Sequence, residues 1–321
     1  MKSTAQAFAI QGLIKYHGLR RAKLRIPYHD SISVCMKSLP TVTTVEAKPG
    51  LSADKIRIDG LVPTKKEAAR VHAVIDKLRI LAADKTRLRI ESRNPNVDGK
   101  GLGFSASGFA ALGLATSRAL GLSIETDELS EIVRLGAGSA SRSLVGGFSI
   151  WYANRKGRSY AEQLASASSI KLRTLIVPIP STIKTDNAHA DVLTSPLFKG
   201  RLAYMKGVLQ RMRRAIVRKD VPEICRLAEL DTLNLHAITM TGKLGTILVS
   251  PLSIKIMEQV RRLREEERVS VWYSLDTGPS VFINTTPAAA SKVERRIRSL
   301  CDNVISSDPG GPAEIISRHL F

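Results

Sequence analysis

Apolar and polar residues alternate through much of the first sixty positions, as in Ser31-Ile-Ser-Val34 and Val42-Thr-Thr-Val-Glu46. This two-residue period predicts short strands joined by turns over residues 5–60. The period changes at Thr64-Lys-Lys-Glu67, a capping box that opens a helix carrying Ala68, Val71, Ile75 and Leu78 on one face. A strand is expected over 87–92. The turn-rich run Asn94–Gly103 then leads into an alanine-rich helix from about Ser105 to Leu120, and Thr126 with Asp127 and Glu128 starts another. From Leu172 the pattern restarts with a strand over 172–179. Helices follow near 196–218 and 221–240, a strand at 246–249 and a helix at 251–265. Strands at 269–275 and 281–283 and a last helix near 290–300 end the series. The fold class is α+β in two halves that divide near 160–172, with an N-terminal domain at 1–168 and a C-terminal domain at 169–321.

Composition narrows the function classes. The 321 residues are 43% hydrophobic and 24% charged, ordinary for a globular chain with room for two cores. Cys35, Cys225 and Cys301 lie far apart, without metal-ligand spacing, and suit free thiols in a reducing compartment. No apolar run reaches the roughly 18 residues of a membrane span, and Gln6, Gln11 and Lys15 interrupt the start as no signal peptide would. A cytoplasmic protein is expected. The 49 Lys and Arg against 29 Asp and Glu, net +20, raise nucleic-acid binding as an option. The basic residues are scattered, however, only 5% of residues are aromatic, and no recognition motif is present.

Four segments carry candidate chemistry. Residues 136–151 set Arg142 among glycines and Ser139, Ser141 and Ser143, a composition suited to holding carboxylate or phosphate. A small-residue helix contact is the plainer alternative. Gly99-Lys-Gly-Leu-Gly103 precedes a helix and could cradle a phosphate, although such loops are often only turns. Asp276, after an alternating strand and before Gly278-Pro279, either projects into a cleft or caps its own turn. Lys15 sits in an apolar strand-like run, where it needs an anionic partner or, on an edge strand, a route to water.

Taken in order, these segments resemble the mevalonate-pathway decarboxylases of the GHMP kinase superfamily. Leu13-Ile-Lys-Tyr-His-Gly-Leu19 stands for the family's Leu-Ile-Lys-Tyr-Trp-Gly-Lys, and Pro27–Ser33 for its Pro-x-Asn-Ser-Ser-[Leu/Ile]-Ser. Gly101–Leu112 matches its phosphate loop and residues 136–147 its Gly-Ser-Gly-Ser-Ala-Cys-Arg-Ser-Leu-x-Gly-Gly. Asp231–Ala237 and Asp276–Ser280 match two later motifs. The resemblance spans about residues 7–282. It implies a two-domain GHMP fold, with an N-terminal half like domain 2 of ribosomal protein S5 and a ferredoxin-like C-terminal half. The implied activity removes CO2 from a 3-phosphorylated mevalonate. Asp276, Lys15 and Arg142 become the expected catalytic trio. Gly101, Gly103, Ser105, Ser139, Ser141, Ser143 and His17 become the expected substrate or phosphate contacts.

Departures from the pattern sharpen the expectation. Phe104 replaces the first serine of the phosphate loop, Leu19 a lysine, His17 a tryptophan and Ile10 an asparagine. The related mevalonate 3-kinases lack the aspartate matched by Asp276. A kept trio with an altered ATP loop implies the mevalonate 3,5-bisphosphate decarboxylase type, which uses no ATP and no metal and releases isopentenyl phosphate. The alternative is an ATP- and Mg2+-dependent decarboxylase of diphosphomevalonate or phosphomevalonate. A homodimer is a further expectation, and neither a membrane nor nucleic acid is an expected partner. A basic nucleic-acid-binding or inactive scaffold on this fold would have no need of the trio.

Overall fold

The computed structural model describes residues 1–182 and 185–321. The chain starts with β1 (Lys2–Ile14), a small ribbon of β2 (Leu19–Arg21) and β3 (Ile26–Pro27), and β4 (Ser31–Ala47). β1 and β4 are far longer than the expected short strands, and they pair antiparallel from Lys2↔Glu46 to Ile14↔Ile32. Register shifts between Phe8 and Ile10 and between Gly12 and Ile14 explain the difference. Each shift moves later side chains to the other face, so one long strand imitates two short ones. Pro40 falls opposite Phe8 at the first shift, where a strand tolerates a residue without an N–H.

The first half continues with β5 (Lys55–Ile58), α1 (Lys65–Ala82), β6 (Leu88–Arg93), α2 (Phe104–Ala119), α3 (Thr126–Val133), α4 (Ala140–Val145), β7 (Phe148–Trp151) and β8 (Ala161–Ala165). The expected capping box starts α1, with Thr64 accepting from the Glu67 N–H while Glu67 reaches back. Val71, Val74, Ile75 and Leu78 of α1 join Phe109–Leu112 of α2 and Val45, Leu88 and Ile90 of the sheet in one core. The stretch 136–151 holds the short helix α4 and the strand β7.

The second half holds β9 (Arg173–Val177), α5 (Thr185–Asp191), α6 (Phe198–Arg218), α7 (Val221–Met240), α8 (Pro251–Glu265), β10 (Val271–Ser274), β11 (Val281–Thr285), α9 (Pro287–Arg298) and β12 (Ile305–Ser307). Its strands run in the order β10-β11-β9-β12, every pair antiparallel. One face packs on α8 and α9 through Leu175, Val271, Val281, Ile256 and Ile297. The other face sends Ile176, Trp272 and Phe282 into a core shared with Met205 and Val208 of α6, Leu227 of α7, and Leu13, Ile32 and Met36 of the first sheet. The strand expected at 246–249 does not form. Instead Leu244 N and Thr246 Oγ1 donate to the Asp191 carboxylate at 2.9 and 3.3 Å, and Leu248 is buried as irregular chain.

The chain then returns to the first sheet, in residues counted with the C-terminal domain. Gly310 N donates to Cys35 O at 2.7 Å, and β13 (Glu314–Ile315) pairs with β1 at Ala5 and Gln6. The sheet order β13-β1-β4-β6-β5, with β7 and β8 attached through β4, therefore flanks β1 on both sides at Ala5 and Gln6. No helix among the described residues is long and apolar enough to cross a membrane.

Candidate functional site

Asp276 lies two residues beyond β10 and meets β1 across the junction of the halves. Gly12 N donates to its carboxylate oxygens, 3.2 Å from Oδ1 and 3.0 Å from Oδ2. A Cβ at Gly12 would lie 2.8 Å from Oδ1, so any side chain there would displace the carboxylate. Burial pushes the Asp276 pKa up, and the positive charge of Lys15 is the main effect opposing it.

Lys15, at the end of β1, is buried at 4% exposure. Its ammonium donates to Ser274 Oγ at 2.9 Å, Thr232 Oγ1 at 3.0 Å and Ala228 O at 3.4 Å, which engages all three of its hydrogens. Asp231 on α7 accepts from Lys15 N at 2.8 Å and lies 3.9 Å from Nζ. Arg201 on α6 donates to Lys15 O at 2.6 Å and stands 3.2 Å from Asp231 Oδ1. Burial lowers the Lys15 pKa, with Asp231 the main opposing influence. Lys15 is buried and fully partnered, so a route to water from an edge strand does not apply to it.

Arg142, on α4, is 3% exposed, and its Nε and Nη1 have no hydrogen-bond partner. Its guanidinium lies over the Tyr16 ring at 5.6 Å, and Tyr16 meets Trp151 edge-on at 4.8 Å. Burial lowers the Arg142 pKa, while Tyr16 and Asp276 oppose that shift. A buried guanidinium with vacant donors is a strong site for an oxyanion. The serines around it divide. Ser141 donates to Ser130 O at 2.9 Å and Ser143 to Phe8 O at 2.6 Å, so these buried hydroxyls anchor α4 and point away from any ligand role. Ser139, at the N-cap of α4, is partly exposed and makes no capping bond.

The glycine-rich loop joins the two sides of the site. Gly103 has φ +83°, and a Cβ there would lie 2.6 Å from Ile10 O on β1. Gly101 presses on the Gly278 backbone two residues beyond Asp276, and Lys100 N donates to Ile179 O at 2.9 Å. Gly103 leaves α2 without a side-chain cap, an arrangement that favours an anion. Exposed Ser105 and partly buried Phe104 line an adjoining cavity of about 270 Å³ with Asp59, Glu67, Arg70 and Asn94. Both carboxylates there are engaged: Asp59 accepts from Asn94 N and Nδ2 at 2.7 and 2.9 Å, and Glu67 from Thr64 N and Oγ1 at 2.9 and 2.8 Å. Both Glu67 bonds fall on Oε2.

His17 lies two residues beyond Lys15 with both ring nitrogens engaged, Nδ1 2.7 Å from Tyr16 O and Nε2 3.2 Å from Thr277 Oγ1. It therefore has no vacant donor for the expected phosphate contact. His236, also weighed from its motif, is buried against the Asp276 backbone, and burial holds its pKa down at about 4. Sequence reasoning missed Gly12, Arg201, Thr232 and Ser274. A signal existed for Arg201, which falls in the buried stripe Phe198, Met205, Val208 and Met212 of α6, where a charge requires a partner.

Residues 7–161 match a family described as diphosphomevalonate decarboxylase-like N-terminal domain, and residues 181–309 one described as mevalonate 5-diphosphate decarboxylase C-terminal domain. A phosphomevalonate decarboxylase of Haloferax volcanii is 39% identical over 317 residues, covering 98% of each chain. Among solved structures, a mevalonate diphosphate decarboxylase from Staphylococcus aureus superposes with a TM-score of 0.91 at 28% identity over 98% of each chain. The mevalonate diphosphate decarboxylase from Enterococcus faecalis, solved in a study of its ATP binding, gives 0.90 at 26% identity over 99% of each.

Proposed function

This chain belongs to the diphosphomevalonate decarboxylase family, carboxy-lyases on the two-domain GHMP fold, and from that premise we propose that its substrate is a mevalonate with a single phosphate on C5 and its product isopentenyl phosphate. The observation that carries this reading is the vacant, buried Arg142 guanidinium within electrostatic reach of Asp276. The name of the relative at 39% identity supports the single phosphate.

The chemistry suits these groups. The C3–O bond breaks with its electron pair leaving on phosphate, and the C1–C2 pair becomes the C2=C3 double bond as CO2 departs. Arg142 offers vacant N–H groups to the departing phosphate or the C1 carboxylate. Lys15, its hydrogens already engaged, contributes a fixed positive field rather than a bond to substrate. Asp276, steadied by Gly12, supplies the negative charge that favours a cation-like C3. Charges fixed in place before the reaction are usually the largest catalytic term. Ser139 and Ser105, with accessible hydroxyls, complete the proposed substrate contacts, alongside the Gly101–Gly103 backbone.

The first reading has the O3 phosphate arriving on the substrate, without nucleotide or metal. It is supported by the Phe104 ring at the first turn of α2, where the phosphate loop it resembles has a serine. A second reading, in which bound ATP with magnesium supplies that phosphoryl group, is favoured by the uncapped α2 N-terminus and its adjoining cavity. The deciding experiment follows CO2 and phosphate release from mevalonate 3,5-bisphosphate without nucleotide, wild type beside Asp276→Asn. Turnover that the variant lacks is expected. Turnover only of mevalonate 5-phosphate with ATP and Mg2+ would establish the second reading, and activity on the 5-diphosphate alone would overturn the single-phosphate assignment.

A further inference from the structure

The residue beside Asp276 is tied to the first half by one side-chain bond. His17 Nδ1 lies 2.7 Å from Tyr16 O, and a carbonyl can only accept, so this nitrogen carries the proton. In the neutral ring Nε2 then has a free lone pair, and it meets the Thr277 hydroxyl 3.2 Å away. The direction follows: Thr277 Oγ1–H donates and His17 Nε2 accepts. Both residues are buried, at 3% and 8% exposure.

The surroundings hold His17 in its neutral state. His189 of α5 stacks on its ring at 4.4 Å. Arg201 of α6 and His236 of α7 also disfavour a positive charge there, and burial is the largest influence, taking the pKa well below the ordinary histidine range. Along its own segment the neighbour is the Tyr16 carbonyl, which favours the charged ring only weakly against these effects. A charged ring would present N–H at both positions and remove the acceptor that Thr277 uses.

We infer that His17 is a positioning residue, whose Nε2 accepts the Thr277 hydroxyl proton and thereby fixes the chain at Asp276 so that its carboxylate meets Gly12 N. The inference rests on Asp276 acting in the reaction, but the bond can be read without turnover. Three features make the device more than packing. It joins residue 17 of the first half to residue 277 of the second. It acts on the backbone immediately next to the reacting carboxylate. It also requires one tautomer of one ring, which shape alone would not specify.

The test combines spectroscopy with kinetics on the full chain. Nitrogen-15 NMR of histidine-labelled protein should show His17, assigned by its loss in His17→Phe, as the neutral Nδ1–H tautomer. Its Nε2 resonance should shift in Thr277→Val and stay near the wild-type position in Thr277→Ser. An Nε2–H tautomer, or an Nε2 resonance indifferent to Thr277→Val, would overturn the bond. With whichever phosphorylated mevalonate turns over, Thr277→Val should lower kcat about tenfold with KM changed less than about twofold, as expected for a misplaced group rather than lost binding. Thr277→Ser should restore kcat, and His17→Phe with Thr277→Val should be no worse than the poorer single variant. Multiplying losses, or an effect confined to KM, would overturn the positioning role while leaving the proposed activity standing.

Discussion

Two buried cations flank Asp276, and they are held in opposite ways. Around Lys15, α7 and β10 supply an acceptor for every ammonium hydrogen and a carboxylate besides. Around Arg142, Tyr16 just beyond β1 supplies a ring face, and Nε and Nη1 are left vacant. A buried charge without partners is costly to a fold, and a fully partnered one is costly to disturb. The comparison teaches that burial alone does not mark a ligand-binding cation. The vacancy does, and the saturated partner serves as a fixed source of field.

Substitutions can break this contrast. The largest effect is expected at the shared centre: Asp276→Asn should lower kcat by on the order of 10³-fold or more, with folding retained by circular dichroism. Residual activity within tenfold of wild type would remove Asp276 from the chemistry. Arg142→Gln should follow at roughly 10²–10³-fold in kcat, the range for losing one preorganised donor, with Tm unchanged or raised because a vacant buried charge is relieved. A Tm drop of many degrees would make Arg142 structural and collapse the contrast. Lys15→Met should do both kinds of damage. It leaves Asp231 facing Arg201 alone, and breaking a buried pair costs about 3–5 kcal/mol, so Tm should fall clearly as activity declines. An unaltered Tm would show that the Lys15 bonds do not support the fold.

The smallest effect concerns pH. Because burial raises the Asp276 pKa, its charged form is lost as pH falls, and kcat/KM should decline on the acid side above the ordinary carboxylate range. Arg142→Gln removes one of the positive neighbours that oppose the shift, so the acid limb of its residual activity should move further up. Movement downward would place Arg142 outside the electrostatic reach of Asp276.

Much of the fold was legible where punctuation is local. Helices α7 and α8 fall where the sequence places them, because Asp220 and Ser250 cap them and Pro222 and Pro251 occupy their first turns. β1 and β4 were not legible, because their register shifts are set by partners tens of residues away. The two-residue β13 carries too little pattern of its own to be seen. At the site, each trio residue had a plain alternative when taken alone, and only the family-like order of the motifs singled all three out. The alternative of an edge-strand lysine fails because α7 and β10 close over Lys15 and take its three hydrogens. Which serines of 136–147 hold the fold was also hidden, since the carbonyls of Phe8 and Ser130 are brought to Ser143 and Ser141 only by tertiary packing.

The return of the chain to its first sheet has a mechanical consequence. The two sheets are joined covalently twice, once between β8 and β9 and once between β12 and β13. With both crossings in place, the halves cannot part without exposing the core that Ile176, Trp272 and Phe282 share with Leu13, Ile32 and Met36. The grip of Gly12 on Asp276 therefore inherits the stability of the whole molecule rather than that of one loop.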